Sequence, residues 1–133
     1  MARFETSPGR VAYVNAGHPA GYLLRSGTVS AALESGGRPL GLLPGTKYGT
    51  AELELSPGDV GVLVTDGITE ALEAGPMTLS QTLGTSRGRR AGSSPAEICD
   101  ALLRAAAEGP GPAGAQGWQD DRTVFVFAVE PGA

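Results

Sequence analysis

The 133-residue chain contains a single cysteine and a single histidine, and it has no long apolar run and no concentration of basic charge. Each scarcity closes off a class of function. One cysteine cannot form an intrachain disulfide. Cys99 lies between Ile98 and Leu102 on a segment with helical spacing, where it packs as a small hydrophobe and suits a reducing cytoplasm. It has no activating neighbour, and no Gly-x-Ser-x-Gly elbow occurs, so covalent nucleophile chemistry has no support. His18 sits in a turn with no evident partner and is assigned a structural role. No run approaches the ~20 apolar residues of a membrane span, and Met1–Arg10 has no signal-peptide core. Membrane insertion and secretion are therefore not expected. Ten basic residues against fourteen acidic ones give a formal charge of −4. Without a Lys/Arg stripe there is nothing to neutralise a phosphate backbone, so no nucleic-acid partner is expected. Arg87, Arg89 and Arg90 form the nearest cluster, and their Ser/Gly-rich surroundings mark a solvated surface. The glycines between Gly36 and Gly45 match neither a P-loop nor a dinucleotide fingerprint, which excludes those nucleotide sites.

What is present describes an ordinary folded domain. Apolar residues make up 41% and charged residues 18%, and the length suits one domain over residues 1–133 without internal repeats. The 21 glycines and 10 prolines concentrate in Gly75–Pro95 and Gly109–Gly117, which read as loops. Val11–Val14 and Tyr22–Leu24 are β-prone and read as a hairpin, which Thr28–Leu33 extends after a Ser26-Gly27 turn. Ala51–Leu55 alternates apolar and acidic residues. After the Ser56-Pro57-Gly58-Asp59 turn, Val60–Val64 is apolar throughout, so the two read as an antiparallel pair with the second member buried. Ile68, Ala71 and Leu72 predict a short helix, and Ser93 or Ser94, Pro95 and Glu97 start a longer one with an Ile98, Leu102, Ala105 stripe. Thr123–Val129 reads as a buried last strand. These elements predict an α+β domain with a mainly antiparallel sheet covered by helices.

Carboxylates stand at two strand ends. Asp66 follows Val60–Val64 and precedes a glycine that can turn sharply, and Asp120 and Asp121 precede the last strand. If those strands are neighbours, Asp66 and Asp120 can meet and offer hard oxygens to Mg²⁺ or Mn²⁺. The plainer alternative remains open, because Asp-Gly is a common turn pair and Asp before a strand often bonds nearby amides.

Five segments, taken in order, resemble the sporulation stage II protein E branch of the PPM-type metal-dependent serine/threonine protein phosphatases. They are Val14-Asn15-Ala16-Gly17-His18-Pro19, Pro39-Leu40-Gly41-Leu42, Leu55-Ser56-Pro57-Gly58-Asp59, Val64-Thr65-Asp66-Gly67-Ile68-Thr69-Glu70-Ala71 and Gln119-Asp120-Asp121-Arg122-Thr123. The resemblance implies an αββα sandwich with metals at one end. It makes Asp66 and Asp120 ligands of a Mn²⁺ or Mg²⁺ site that holds two ions in the family, with Gly67 and Asp121 supporting. It also implies hydrolysis of phosphoserine or phosphothreonine by metal-activated water on a regulatory protein such as an anti-sigma-factor antagonist.

The family's Gly-Asp-x-x-Gly-His-Gly segment, whose aspartate bridges both metals, has no counterpart in these residues. The expectation is a sandwich incomplete at its N-terminal side, with little activity from this chain alone. A second copy or a partner chain would then pair at an exposed sheet edge. The alternative expectation is a non-catalytic phosphoprotein-binding module in a sigma-factor pathway.

Overall fold

The computed structural model describes residues 2–7, 9–34, 36–73, 78–84, 93–108 and 121–130, with the backbone alone over 2–7. The Arg87, Arg89 and Arg90 cluster, the Gly109–Gly117 loop and Asp120 lie outside the described residues. The elements run β1 (Ala2–Ser7), β2 (Arg10–Asn15), β3 (Gly21–Arg25), β4 (Thr28–Leu33), β5 (Ala51–Glu54), β6 (Val60–Val64), α1 (Asp66–Glu73), α2 (Leu79–Gly84), α3 (Pro95–Glu108) and β7 (Val124–Ala128).

Two antiparallel sheets form, one ordered β1-β2-β5 and the other β4-β3-β6-β7. Strand alternation builds a separate core on each face of the second sheet. Leu23 and Leu33 point toward the first sheet, where they meet Tyr13 with Leu53 and Leu55 beside them. Leu24, Val62 and Val64 point the other way, into a core closed by Ile68 and Leu72 of α1, Leu79 and Leu83 of α2, and Ile98, Leu102 and Ala106 of α3. The described residues thus stack as sheet, sheet and helices. This is the mixed helix-and-sheet architecture expected, though these helices supply a helical layer on only one side.

Several expectations change. β2 and β3 do not pair with each other: Val11 pairs with Leu53 of β5, whereas Tyr22 pairs with Val62 of β6. The Asn15–Ala20 connection therefore crosses between sheets and is no hairpin turn. β5 and β6 likewise separate into different sheets, so Ser56–Asp59 joins layers. Among the described residues only β6 pairs with β7, which makes it an edge strand there, with Phe125 56% exposed. The Gly75–Pro95 stretch contains α2, whose Leu79, Thr82 and Leu83 are buried. β1 has polar residues at alternate positions, which hid it, yet it pairs with β2 along its whole length, from Ala2↔Asn15 to Ser7↔Arg10.

Local chemistry explains the elements that were foreseen. Ser26 and Gly27 both have positive φ (49° and 70°), the twist that a two-residue hairpin loop between β3 and β4 requires. At the start of α3 the Glu97 carboxylate accepts the Ser94 amide at 2.8 Å, and Ser94 Oγ accepts the Glu97 amide at 3.3 Å. This reciprocal capping satisfies donors that the first helical turn leaves unpaired.

Candidate functional site

β6 carries an aspartate just beyond each end, and the two have opposite environments. Asp59, before the strand, is 1% exposed. Its carboxylate accepts Arg25 Nε at 2.9 Å, Arg25 Nη2 at 2.8 Å and the Ser56 amide at 2.8 Å. The Arg25 hydrogen bonds hold its pKa below the ordinary carboxylate value, against the opposing effect of burial. Asp59 is therefore a saturated structural carboxylate, and the Leu-Ser-Pro-Gly-Asp segment is a joint between the two sheets.

Asp66, after the strand, is exposed and opens α1. Among the described residues its carboxylate takes one bond, from the amide of Gly67 at 3.1 Å. Thr65 locks the position. Its amide donates to the Thr123 carbonyl at 3.1 Å, its hydroxyl donates to the Asp121 carbonyl at 2.8 Å, and the same hydroxyl accepts the Thr123 amide at 2.9 Å. These bonds extend the β6–β7 pairing, which ends at Val64↔Val124, as far as residue 121. The condition set by the sequence, that the two acid-bearing strands be neighbours, is met.

Opposite Asp66 lies the loop after β2, built on a buried asparagine. Asn15 Nδ2 donates to the Leu33 carbonyl at 3.0 Å, and Asn15 Oδ1 accepts the His18 amide at 2.9 Å. Gly17 has φ 75°, and a Cβ there would lie 2.6 Å from Pro39 N. No other residue combines that backbone with so close an approach. His18 Nδ1 meets the Pro19 carbonyl at 3.0 Å.

Together these parts enclose a cleft of about 380 Å³ lined by Ala16, Gly17, His18, Pro19, Pro39, Leu40, Thr65 and Asp66. Three segments far apart in sequence thus converge on one site. Gly67 is buried directly behind Asp66, and Asp121 contributes its backbone to the Thr65 lock. Sequence reasoning missed the cleft role of His18 and of Pro39-Leu40. The signal available was the Asn15-Ala16-Gly17 run, a side-chain clamp followed by a residue free to take positive φ.

A model of the Stage II sporulation protein E (SpoIIE) family matches residues 1–130. The chain belongs to the SpoIIE family. Its fold is that of the PPM-type serine/threonine phosphatase domains. The phosphatase domain of the cell fate determinant SpoIIE from Bacillus subtilis (Mn presoaked) superposes with TM-score 0.65 at 16% identity, over 100% of this chain and 57% of that one. The serine/threonine phosphatase PstP/Ppp of Mycobacterium tuberculosis gives 0.68 at 20% identity, over 98% and 59%. In sequence, Protein IcfG of Synechocystis sp. (strain ATCC 27184 / PCC 6803 / Kazusa) is 33% identical over 67 residues, which is 50% of this chain and 11% of that protein. The SpoIIE-family chain therefore spans little more than half of either phosphatase structure and about a tenth of IcfG.

The exposed, underused oxygens of Asp66 suit a hard cation. Among the described residues, however, no group of three or more His, Cys, Asp or Glu side chains comes together. Among the described residues, the Asp66 carboxylate keeps acceptor capacity beyond its one bond from the Gly67 amide. Among the described residues, no helix is long and apolar enough to cross a membrane.

Proposed function

We propose that this chain carries part of a site that hydrolyses phosphoserine or phosphothreonine on a regulatory protein such as an anti-sigma-factor antagonist. Asp66 and Asp120 are its ligands to Mn²⁺ or Mg²⁺, and Gly67 and Asp121 support them. The observation that carries this reading is the contrast along β6: Asp59 is buried and saturated, while Asp66 is exposed, underused and aimed into a cleft. Turn-forming aspartates resemble the first kind. A carboxylate held rigidly with spare lone pairs suits a ligand.

The bound ion supplies a lowered water pKa and charge neutralisation at phosphorus. This chain's residues do the positioning. The Gly67 amide orients one Asp66 oxygen, and Thr65 ties α1's start to the backbone of Asp121, to which Asp120 is covalently joined. Two carboxylates offer few of the ~6 oxygens that such cations take, so the chain by itself binds the ion weakly and turns over slowly. Exposed Phe125 on edge strand β7 supports pairing there with a second copy or a partner chain. A reducing cytoplasmic setting fits the unpaired thiol of Cys99.

A second reading is a phosphoprotein-binding module without turnover, favoured by the absence of a multi-donor cluster among the described residues. Incubating the chain with a phosphoserine peptide and Mn²⁺, while following both phosphate release and peptide binding, separates the two. Slow release that requires Mn²⁺ and is abolished in Asp66→Asn is the expected result. Binding without release selects the module, and neither binding nor release refutes both.

A further inference from the structure

We propose that His18 is a substrate-contacting residue whose Nε2 meets the phosphoryl oxygens of a phosphate monoester in the cleft; this rests on the hydrolytic site proposed above. Four constraints converge on this one imidazole. Asn15 clamps its amide, Gly17 takes positive φ directly before it, Pro39 packs against Gly17 too closely for any side chain, and the Pro19 carbonyl holds its Nδ1. So much local definition exceeds what a surface turn needs, and it is the usual support of a side chain whose position matters.

The Nδ1 contact also fixes the chemistry. A carbonyl oxygen only accepts, so Nδ1 carries the hydrogen and Nε2 is the free position. Among the described residues Nε2 has no partner, and it is absent from the buried unpartnered atoms, so it meets solvent. When protonated, Nε2–H is a charge-assisted donor, and among the described lining residues His18 is the one side chain that can become cationic. His18 and Asp66 line the same cleft, so a phosphoryl group bound there can meet both side chains.

Because His18 is the chain's sole histidine, its ring nitrogens give unambiguous NMR signals. The chain, ¹⁵N-labelled in its imidazole, is titrated with ligand at one fixed, near-neutral pH. Inorganic phosphate, a phosphoserine peptide and the unphosphorylated peptide are each added with and without Mg²⁺. The expected result is a saturable Nε2 shift toward the protonated position with phosphate and with the phosphopeptide, and none with the bare peptide. His18→Gln, followed through the Gly17 and Thr65 amides, should weaken phosphate binding roughly ten- to a hundredfold, the range of a charge-assisted hydrogen bond.

A phosphate response without Mg²⁺ dependence supports His18 while counting against the ion at Asp66, so the two ideas fail separately. An Nε2 signal that ignores phosphate under both conditions overturns the proposal, whatever the variant does. Unchanged phosphate affinity in His18→Gln overturns it as well.

Discussion

Replacing Asp59 by Asn keeps the shape of the side chain and removes the charge that pairs with Arg25 of neighbouring strand β3. In the folded protein the carboxylate accepts two Arg25 donors and the Ser56 amide while 1% exposed. An asparagine can offer one acceptor oxygen but must turn an NH₂ group toward donors, which strands at least one buried hydrogen. Hydrogen bonds to a charged group contribute about 1.5–3 kcal/mol each, and an unsatisfied buried donor costs about 1–3 kcal/mol. Arg25 is 45% exposed in its side chain and regains water, so its loss offsets part of the effect. A net loss of about 2–4 kcal/mol is expected, a large share of the ~5–15 kcal/mol that stabilises a typical domain. With a urea m-value of ~1.5–2 kcal/mol/M, the midpoint followed by far-UV circular dichroism falls by about 1–3 M. The sign with pH also follows. The folded pKa of Asp59 lies below its unfolded value, so its contribution is full above about pH 5 and fades as pH falls through the folded value. The gap between wild type and variant should therefore close in acid. A midpoint within about 0.3 M of wild type at neutral pH, or a gap that widens in acid, refutes the reasoning.

Other consequences follow from the same packing. Gly61→Ala places a methyl against the Phe127 ring, which lies across that position from the paired strand, so about 1–3 kcal/mol of stability should be lost in the same assay. Leu102→Ala empties a fully buried position in the helix-side core and should cost about 2–5 kcal/mol by urea unfolding. Thr65→Val removes the hydroxyl that bonds Asp121 and Thr123. Amide exchange at Thr123 should accelerate, while exchange in α3 should not change.

How much of this was legible depends on where the information resides. The α3 start was readable because capping is local chemistry: Ser94, Pro95 and Glu97 lie within one turn. The Ser26-Gly27 turn was readable for the same reason. α2 has its own local signature, Thr78-x-x-Gln81, in which the Gln81 side chain accepts the Thr78 amide at 2.8 Å and Thr78 Oγ1 accepts the Gln81 amide at 3.4 Å. The surrounding glycines and serines masked it. Strand partners were not readable, because an alternating strand such as Ala51–Glu54 pairs equally well with any complementary neighbour. Which neighbour it takes is decided by crossings such as Asn15–Ala20, whose clamp to Leu33 spans 18 residues.

The site divides along the same line. Asp66 stood out as a carboxylate between a buried strand and a glycine, and the structure gives it exposure and spare acceptor capacity. Asp59 was read only as part of a turn, since nothing local announces that Arg25, 34 residues earlier, will reach it. His18 was set aside because its ring meets a backbone carbonyl and a cleft that exists only after three segments fold together. A lone imidazole carries no periodic or pairwise signal of its own.

The most direct measurement is paramagnetic broadening of the amide NMR signals of the 133-residue chain by trace Mn²⁺. Broadening centred on Thr65, Asp66 and Gly67 and reaching Gly17 and His18, with Ser30 unaffected, is the predicted result. It should be lost in Asp66→Asn and sharply reduced in Asp120→Asn. Broadening centred elsewhere, or an unchanged pattern in Asp66→Asn, would contradict a metal site at this cleft.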